Sequence, residues 1–154
     1  MTITTTTHLN FRGDARAALE FYQSVFGGEI TIATYGDFGM PEGVPGSTNV
    51  VFGQVESPDG FRVMAYDIPG QSGGSADHAG STRRENGTTI TDQPFFVSVR
   101  GTTLAEVEGY WATLSVGASI VEPLAASAWS PGFGMLTDAF GVTWILDVAA
   151  EYAA

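Results

Sequence analysis

The 154-residue chain contains no cysteine and no lysine. Without cysteine there is no disulfide, no thiolate nucleophile and no cysteine metal site, and the chain suits a reducing compartment. A chain of this length buries about 70% of its unfolded surface, so it needs no covalent staple and is expected to form one domain. Without lysine, all six basic side chains are arginines, set against 17 acidic residues for a net charge of −11. That balance repels a nucleic-acid backbone and attracts a small cation, although acidity also serves plain solubility. Long apolar runs are missing too. No window approaches the roughly 20 apolar residues that cross a bilayer. Residues 1–7 are threonine-rich, with neither the basic start nor the apolar core of a secretory leader. The expected setting is cytoplasmic, with no membrane and no nucleic acid as partner. Also absent is a strand followed by a glycine-rich turn that would cradle a nucleotide-like cofactor. Gly27-Gly28 instead follows a helical pattern.

What is present is a repeat. The segment from His8 reads HLNFRGDARAALEFYQSVFGGEI, and that from Phe96 reads FVSVRGTTLAEVEGYWATLSVGASI. Each has a short strand pattern, then Arg-Gly, then a helix that stops at glycine. Tyr22 and Tyr110 stand at matching distances beyond Arg12 and Arg100. Each copy continues with two further apolar runs closed by a turn, Asp59-Gly60 in one and Asp138-Ala139-Phe140-Gly141 in the other.

Local chemistry supports these assignments. Asp14 is placed to cap the first helix, whose Ala15, Ala18, Leu19, Tyr22, Val25 and Phe26 form an apolar stripe. Gly27 or Gly28 supplies the left-handed residue that ends it. Thr103 and Glu106 have capping-box spacing, and Leu104, Val107, Tyr110 and Leu114 form the second stripe. Strands are expected near residues 4–11, 29–35, 48–56, 61–67, 94–100, 119–123, 132–138 and 142–148. Ser57-Pro58-Asp59-Gly60 is a hairpin turn. Residues 69–93, rich in Gly, Ser, Thr and Asp, read as a linker, partly mobile, between module one (about 1–68) and module two (about 94–154). Residues 36–47, with two prolines and several glycines, read as a loop of the kind that covers sites. The expected fold is α+β. Two tandem βαβββ modules form a curved mixed sheet with helices on the convex side, leaving the concave face as the natural ligand cavity.

These paired openings, together with LTDAFGVTWILDV at residues 136–148, resemble the vicinal oxygen chelate superfamily of glyoxalases, extradiol dioxygenases and bleomycin- and fosfomycin-resistance proteins. The particular likeness is to its PhnB-like branch, and it covers nearly the whole chain outside the linker. The resemblance implies a homodimer and a small-molecule cavity. Metal-using members place one ligand, often His, on the first strand of each copy and another, often Glu, on the last. Carried over, the first-strand positions are His8 and Phe96. The last-strand positions, four residues after Gly60 and Gly141, are Met64 and Ile145. Of these only His8 is a good ligand for a hard dication, and a register shift on the first strand substitutes threonine. The usual metal is therefore expected to be lost and no cofactor to be needed. A divalent metal remains the alternative.

Strand alternation directs His8 and Asn10 to the cavity, together with Arg62, Met64 and Tyr66 from one strand and Thr143, Ile145 and Asp147 from another. Tyr35, Tyr66 and Trp129 have the chemistry to stack on a flat or cationic ligand, ordinary packing being the competing reading. His8 is a candidate base, or simply a strand histidine. Arg83-Arg84 reads as a solvated loop pair, and Asn86-Gly87-Thr88 as a chance glycosylation match. The candidate ligand-binding set is His8, Asn10, Tyr35, Arg62, Met64, Tyr66, Phe96, Trp129 and Ile145, for a cationic or aromatic molecule. Three functions follow: a metal-free binding protein, a metal-dependent lyase, isomerase or dioxygenase, and a metal-free enzyme using His8.

Overall fold

A computed structural model describes residues 2–150. Among the described residues two α-helices and ten strands form two compact units, divided between Ser75 and Ala76. The fold is α+β. In the first unit the order is β1 (Thr7–Phe11), α1 (Ala15–Phe26), β2 (Glu29–Thr34), β3 (Val50–Glu56) and β4 (Arg62–Asp67). The second unit opens with a hairpin, β5 (Thr82–Glu85) and β6 (Thr88–Thr91). It continues through β7 (Val97–Gly101), α2 (Leu104–Leu114), β8 (Ser119–Ala125), β9 (Phe133–Thr137) and β10 (Thr143–Val148). The strand orders β1-β4-β3-β2 and β7-β10-β9-β8 are the same arrangement twice. In each module the first strand runs parallel to the last, and the remaining pairs are antiparallel. Among the described residues, no helix is long and apolar enough to cross a membrane.

The stripe of α1 does what its spacing requires. All six of its apolar residues are buried, against β2, β3 and β4. On the facing sheet Leu9, Phe11, Val55, Val63 and Ala65 alternate inward, and Gly53 leaves room for Leu19. The helix ends at Gly27, whose amide reaches back to Gln23 O, and both Gly27 and Gly28 have positive φ. The second helix follows its pattern less fully. Val107 and Leu114 are buried and Tyr110 is half-buried, but Leu104 at the first turn is exposed. Trp111 packs over Gly134 of β9, where any side chain would strike its ring.

Three local expectations are corrected. Asp14 does not cap α1 with its side chain. Its carboxylate accepts instead from the backbone and hydroxyl of Ser75, at 3.0 and 2.6 Å. The first-turn amide of Ala15 is taken by Asp67 at the end of β4, a partner distant in sequence. In α2 the expected capping does form, with Glu106 N donating to the Thr103 hydroxyl at 3.2 Å. Second, the two Arg-Gly pairs are not equivalent. Arg12 lies beyond the end of β1, whereas Arg100 and Gly101 are the last two residues of β7. Third, the stretch 69–93 contains the β5–β6 hairpin, closed by Asn86 and Gly87 at φ 51° and 75°. Two consecutive positive φ values are the signature of a tight hairpin turn, for which Asn-Gly is the favoured pair.

Candidate functional site

In module one, the sheet face turned away from α1 carries most of the expected residues. On β1, His8 and Asn10 are exposed while Leu9 and Phe11 are buried. On β4, Arg62, Met64 and Tyr66 are half-buried while Val63, Ala65 and Asp67 are buried. Register places His8 beside Met64, Met64 beside Gln54, and Gln54 beside Thr31, one row across the four strands. Asn10 lies beside Tyr66 in the next row. Nδ1 of His8 is 3.0 Å from Oδ1 of Asn10, and the imidazole meets the Tyr66 ring edge-on at 5.3 Å between centroids. Phe52, exposed on the same side of β3, joins this surface. Parity applied to β3 in the sequence would have found it.

Two candidates are committed elsewhere. Arg62 forms an ion pair with Glu56 at the end of the sheet. Tyr35 donates its hydroxyl to the main-chain oxygen of Asp67 at 2.7 Å. Burial raises the Tyr35 phenol above its ordinary pKa, reinforced by Tyr66 and by the Asp67 charge. Beyond Arg62, the same sheet has an open hollow of about 280 Å³ lined by Glu29, Thr31, Gln54, Glu56, Ser57 and Pro58. None of these six was a sequence candidate, because no motif marks them.

Module two differs in chemistry. Ile145 lies half-buried between Ser98 on β7 and Met135 on β9. Since His8 pairs with Met64 and Ser98 with Ile145, the counterpart of His8 is Ser98. Phe96 precedes β7 and holds no strand position. The expectation for Phe96 came from aligning Arg12 with Arg100. Arg12 stands one residue beyond the end of β1 and Arg100 one residue before the end of β7, so matching the two slides the first strands by two. Asp147, half-open by alternation alone, is buried and takes a bidentate hydrogen bond from Arg100 at 3.0 and 2.9 Å. Thr143 is buried as well, paired with Thr137 at 2.8 Å. Trp129 is 55% exposed and meets Phe133 edge-on at 5.4 Å. Arg84 is no solvated loop residue: its side chain is only 14% exposed and lies over Phe133. Its partner in sequence, Arg83, does face solvent, paired with Glu85.

At the four positions that carry ligands in metal-using relatives, His8 is the one strong donor. Module one offers an imidazole and a thioether, module two a hydroxyl and an isoleucine, where metal-using relatives place imidazole and carboxylate. Among the described residues, no three His, Asp or Glu side chains converge.

The comparisons with known proteins agree with the architecture. A solved structure of protein PA1353 from Pseudomonas aeruginosa is similar at a TM-score of 0.74, 24% identical, covering 97% of this chain and 100% of that one. A PhnB protein from Bacillus cereus, described as a putative 3-demethylubiquinone-9 3-methyltransferase, is similar at 0.66 and 23%, covering 96% and 100%. A glyoxylase/bleomycin resistance protein/dioxygenase domain from Frankia sp. EAN1pec matches at 0.63 and 13%, covering 99% and 96%. No curated protein sequence matches the chain. The superfamily's sequence profile matches residues 6–146, so the chain belongs to the Glyoxalase/Bleomycin resistance protein/Dioxygenase superfamily.

Proposed function

We propose that the chain binds a small organic molecule on the open sheet face of module one, without the divalent metal of its metal-using relatives. The observation that carries this reading is the row in which His8 stands beside Met64. The position that holds a carboxylate in metal-using relatives has a soft, apolar side chain here, and the face around it mixes Asn10, Gln54, Tyr66 and Phe52. Apolar and aromatic walls with a few placed polar groups are the ordinary composition of a small-molecule site. The net charge of −11 favours cationic molecules among the ligands, and the aromatic side chains favour aromatic ones. We place the protein in the cytoplasm and assign it a homodimeric state, which light scattering on the purified chain tests directly.

A panel of aromatic and cationic compounds, screened by thermal shift, is expected to contain stabilising members. Their effect should be lost in His8→Ala, while that variant's own stability stays within about 0.5 kcal/mol, as for other exposed positions. Uniform silence across the panel would count against the reading. So would a stoichiometric metal in protein purified without chelator.

A second reading rests on the pair His8 and Asn10. A separation of 3.0 Å suits Nδ1–H donating to the amide oxygen, which leaves Nε2 with a free lone pair on the open face. An imidazole held in that tautomer is equipped to act as a base toward a bound ligand. A turnover that survives metal removal and disappears in His8→Ala would favour this enzyme over the pure binder.

A further inference from the structure

The hairpin that replaces the expected linker brings Arg84 of β5 onto the sheet of module two. Its guanidinium carbon lies 5.3 Å from the centre of the Phe133 ring. Nη1 donates to the Thr89 hydroxyl at 2.9 Å. Nε lies 3.7 Å from the Glu122 carboxylate, close enough for charge attraction but too far for a hydrogen bond. Nε is buried and has no hydrogen-bond partner. Guanidinium carries five N–H donors, and one left unmet away from water is a standing cost. Trp129 rests edge-on against Phe133 with more than half of its surface in solvent. Thr89 also reaches the sulfur of Met135 at 3.6 Å. Met135 and Glu122 are register partners, so the hairpin covers the row that the two share.

Arg84 thus occupies a place built as organic-cation sites are built, with a carboxylate at one side, an aromatic face beneath and a second, exposed aromatic set against the first. It fills that place imperfectly. We propose that Glu122, Phe133 and Trp129 form a binding site for a small organic monocation, of the guanidinium or alkylammonium class, and that Arg84 holds the site as a tethered stand-in until ligand displaces it. The unmet Nε is what makes the stand-in replaceable. The tether gives Arg84 an effective concentration in the millimolar range, which a free ligand has to exceed. This site is separate from the module-one face and stands or falls independently of it.

Ethylguanidinium, the part of Arg84 that Arg84→Ala deletes, is the direct probe, with neutral ethylurea as its isostere. The full chain is titrated, reading tryptophan fluorescence and thermal unfolding, with Trp129→Phe to assign the optical signal. Arg84→Ala is expected to bind ethylguanidinium at least about tenfold tighter than the unsubstituted chain, because the tethered competitor is gone. Ethylurea should have no effect. Adding Glu122→Gln to Arg84→Ala should weaken ethylguanidinium about tenfold, as loss of a part-buried charge partner does. The proposal is overturned if Arg84→Ala responds no more than the unsubstituted chain, if ethylurea matches ethylguanidinium, or if Glu122→Gln changes nothing. Should Arg84→Ala lose cooperative unfolding, Arg84→Gln, which keeps a stem and a donor for Thr89 without the charge, is titrated under the same criteria.

Discussion

At Asp67 a single buried carboxylate accepts from three backbone amides, those of Gly13, Ala15 and Val50, at 3.0 Å or less. It joins the start of α1, the start of β3 and the end of β4. Nothing local in the sequence identifies it, because its partners lie up to 54 positions away. Asp67→Asn keeps the shape but sets an amide N–H₂ against at least one of these donors. A buried donor left unmet costs about 1–3 kcal/mol, so urea denaturation should show a loss of that order. Tyr35 is tied to the same residue through its hydroxyl. Its pKa is raised in the folded chain, first by burial. A raised folded pKa contributes stability that is complete below the unfolded value near 10 and is lost as pH rises through the folded value. Tyr35→Phe should therefore cost about 1 kcal/mol at neutral pH and flatten the alkaline loss of stability. An ultraviolet titration should show one late-ionising phenol disappearing in that variant. Site residues were legible where parity alone decided them. His8, Asn10, Met64 and Tyr66 fall on one face because every second residue must. Tyr35 and Arg62 were legible as candidate polar groups, but not as groups spent on Asp67 and Glu56.

Among the elements, α1 was the most readable. Its six apolar positions at helical spacing are all buried, and its glycine stop lies where left-handed backbone is needed. The hairpin β5–β6 was the least readable. Its strands, TRRE and TTIT, are polar and too short to show alternation, so only Asn86-Gly87 announced them. That dipeptide is a strong turn signal. The packing of α2 on β9 depends on the absence of a side chain at Gly134, where a Cβ would lie 2.7 Å from the Trp111 ring. Gly134→Val should thus cost about 1–3 kcal/mol through overpacking, and Trp111→Leu should recover part of the loss in a double-mutant cycle. Gly134→Val with unchanged stability would mean that Trp111 moves freely, against this packing.

For the molecule as a whole, charge is the property that local structure leaves unbalanced. Six arginines face 17 acidic residues, and at least four of the six are engaged in ion pairs. The excess negative charge repels itself across the surface. Raising sodium chloride from about 10 mM to about 150 mM shortens the screening length from about 30 to about 8 Å. The midpoint of thermal unfolding should rise accordingly, and a midpoint that falls would show that the ion pairs outweigh the repulsion. The twofold occurrence of one strand order shows how much of the scaffold the repeat carries. Its chemistry is not repeated: His8 and Met64 in one module answer to Ser98 and Ile145 in the other.

The sequence by itself determined the α+β class, the two modules, the face of α1, the turns and the alternation along β1 and β4. These depend on residues within one or two turns of each other, so their spacing records them. Only tertiary structure decided the register between first and last strands, which moved the module-two position from Phe96 to Ser98. The same holds for Asp67 in place of Asp14 at the head of α1, and for Arg84 over Phe133. Each of those depends on atoms brought together from distant parts of the chain, where a shift of two residues in register changes which side chains meet.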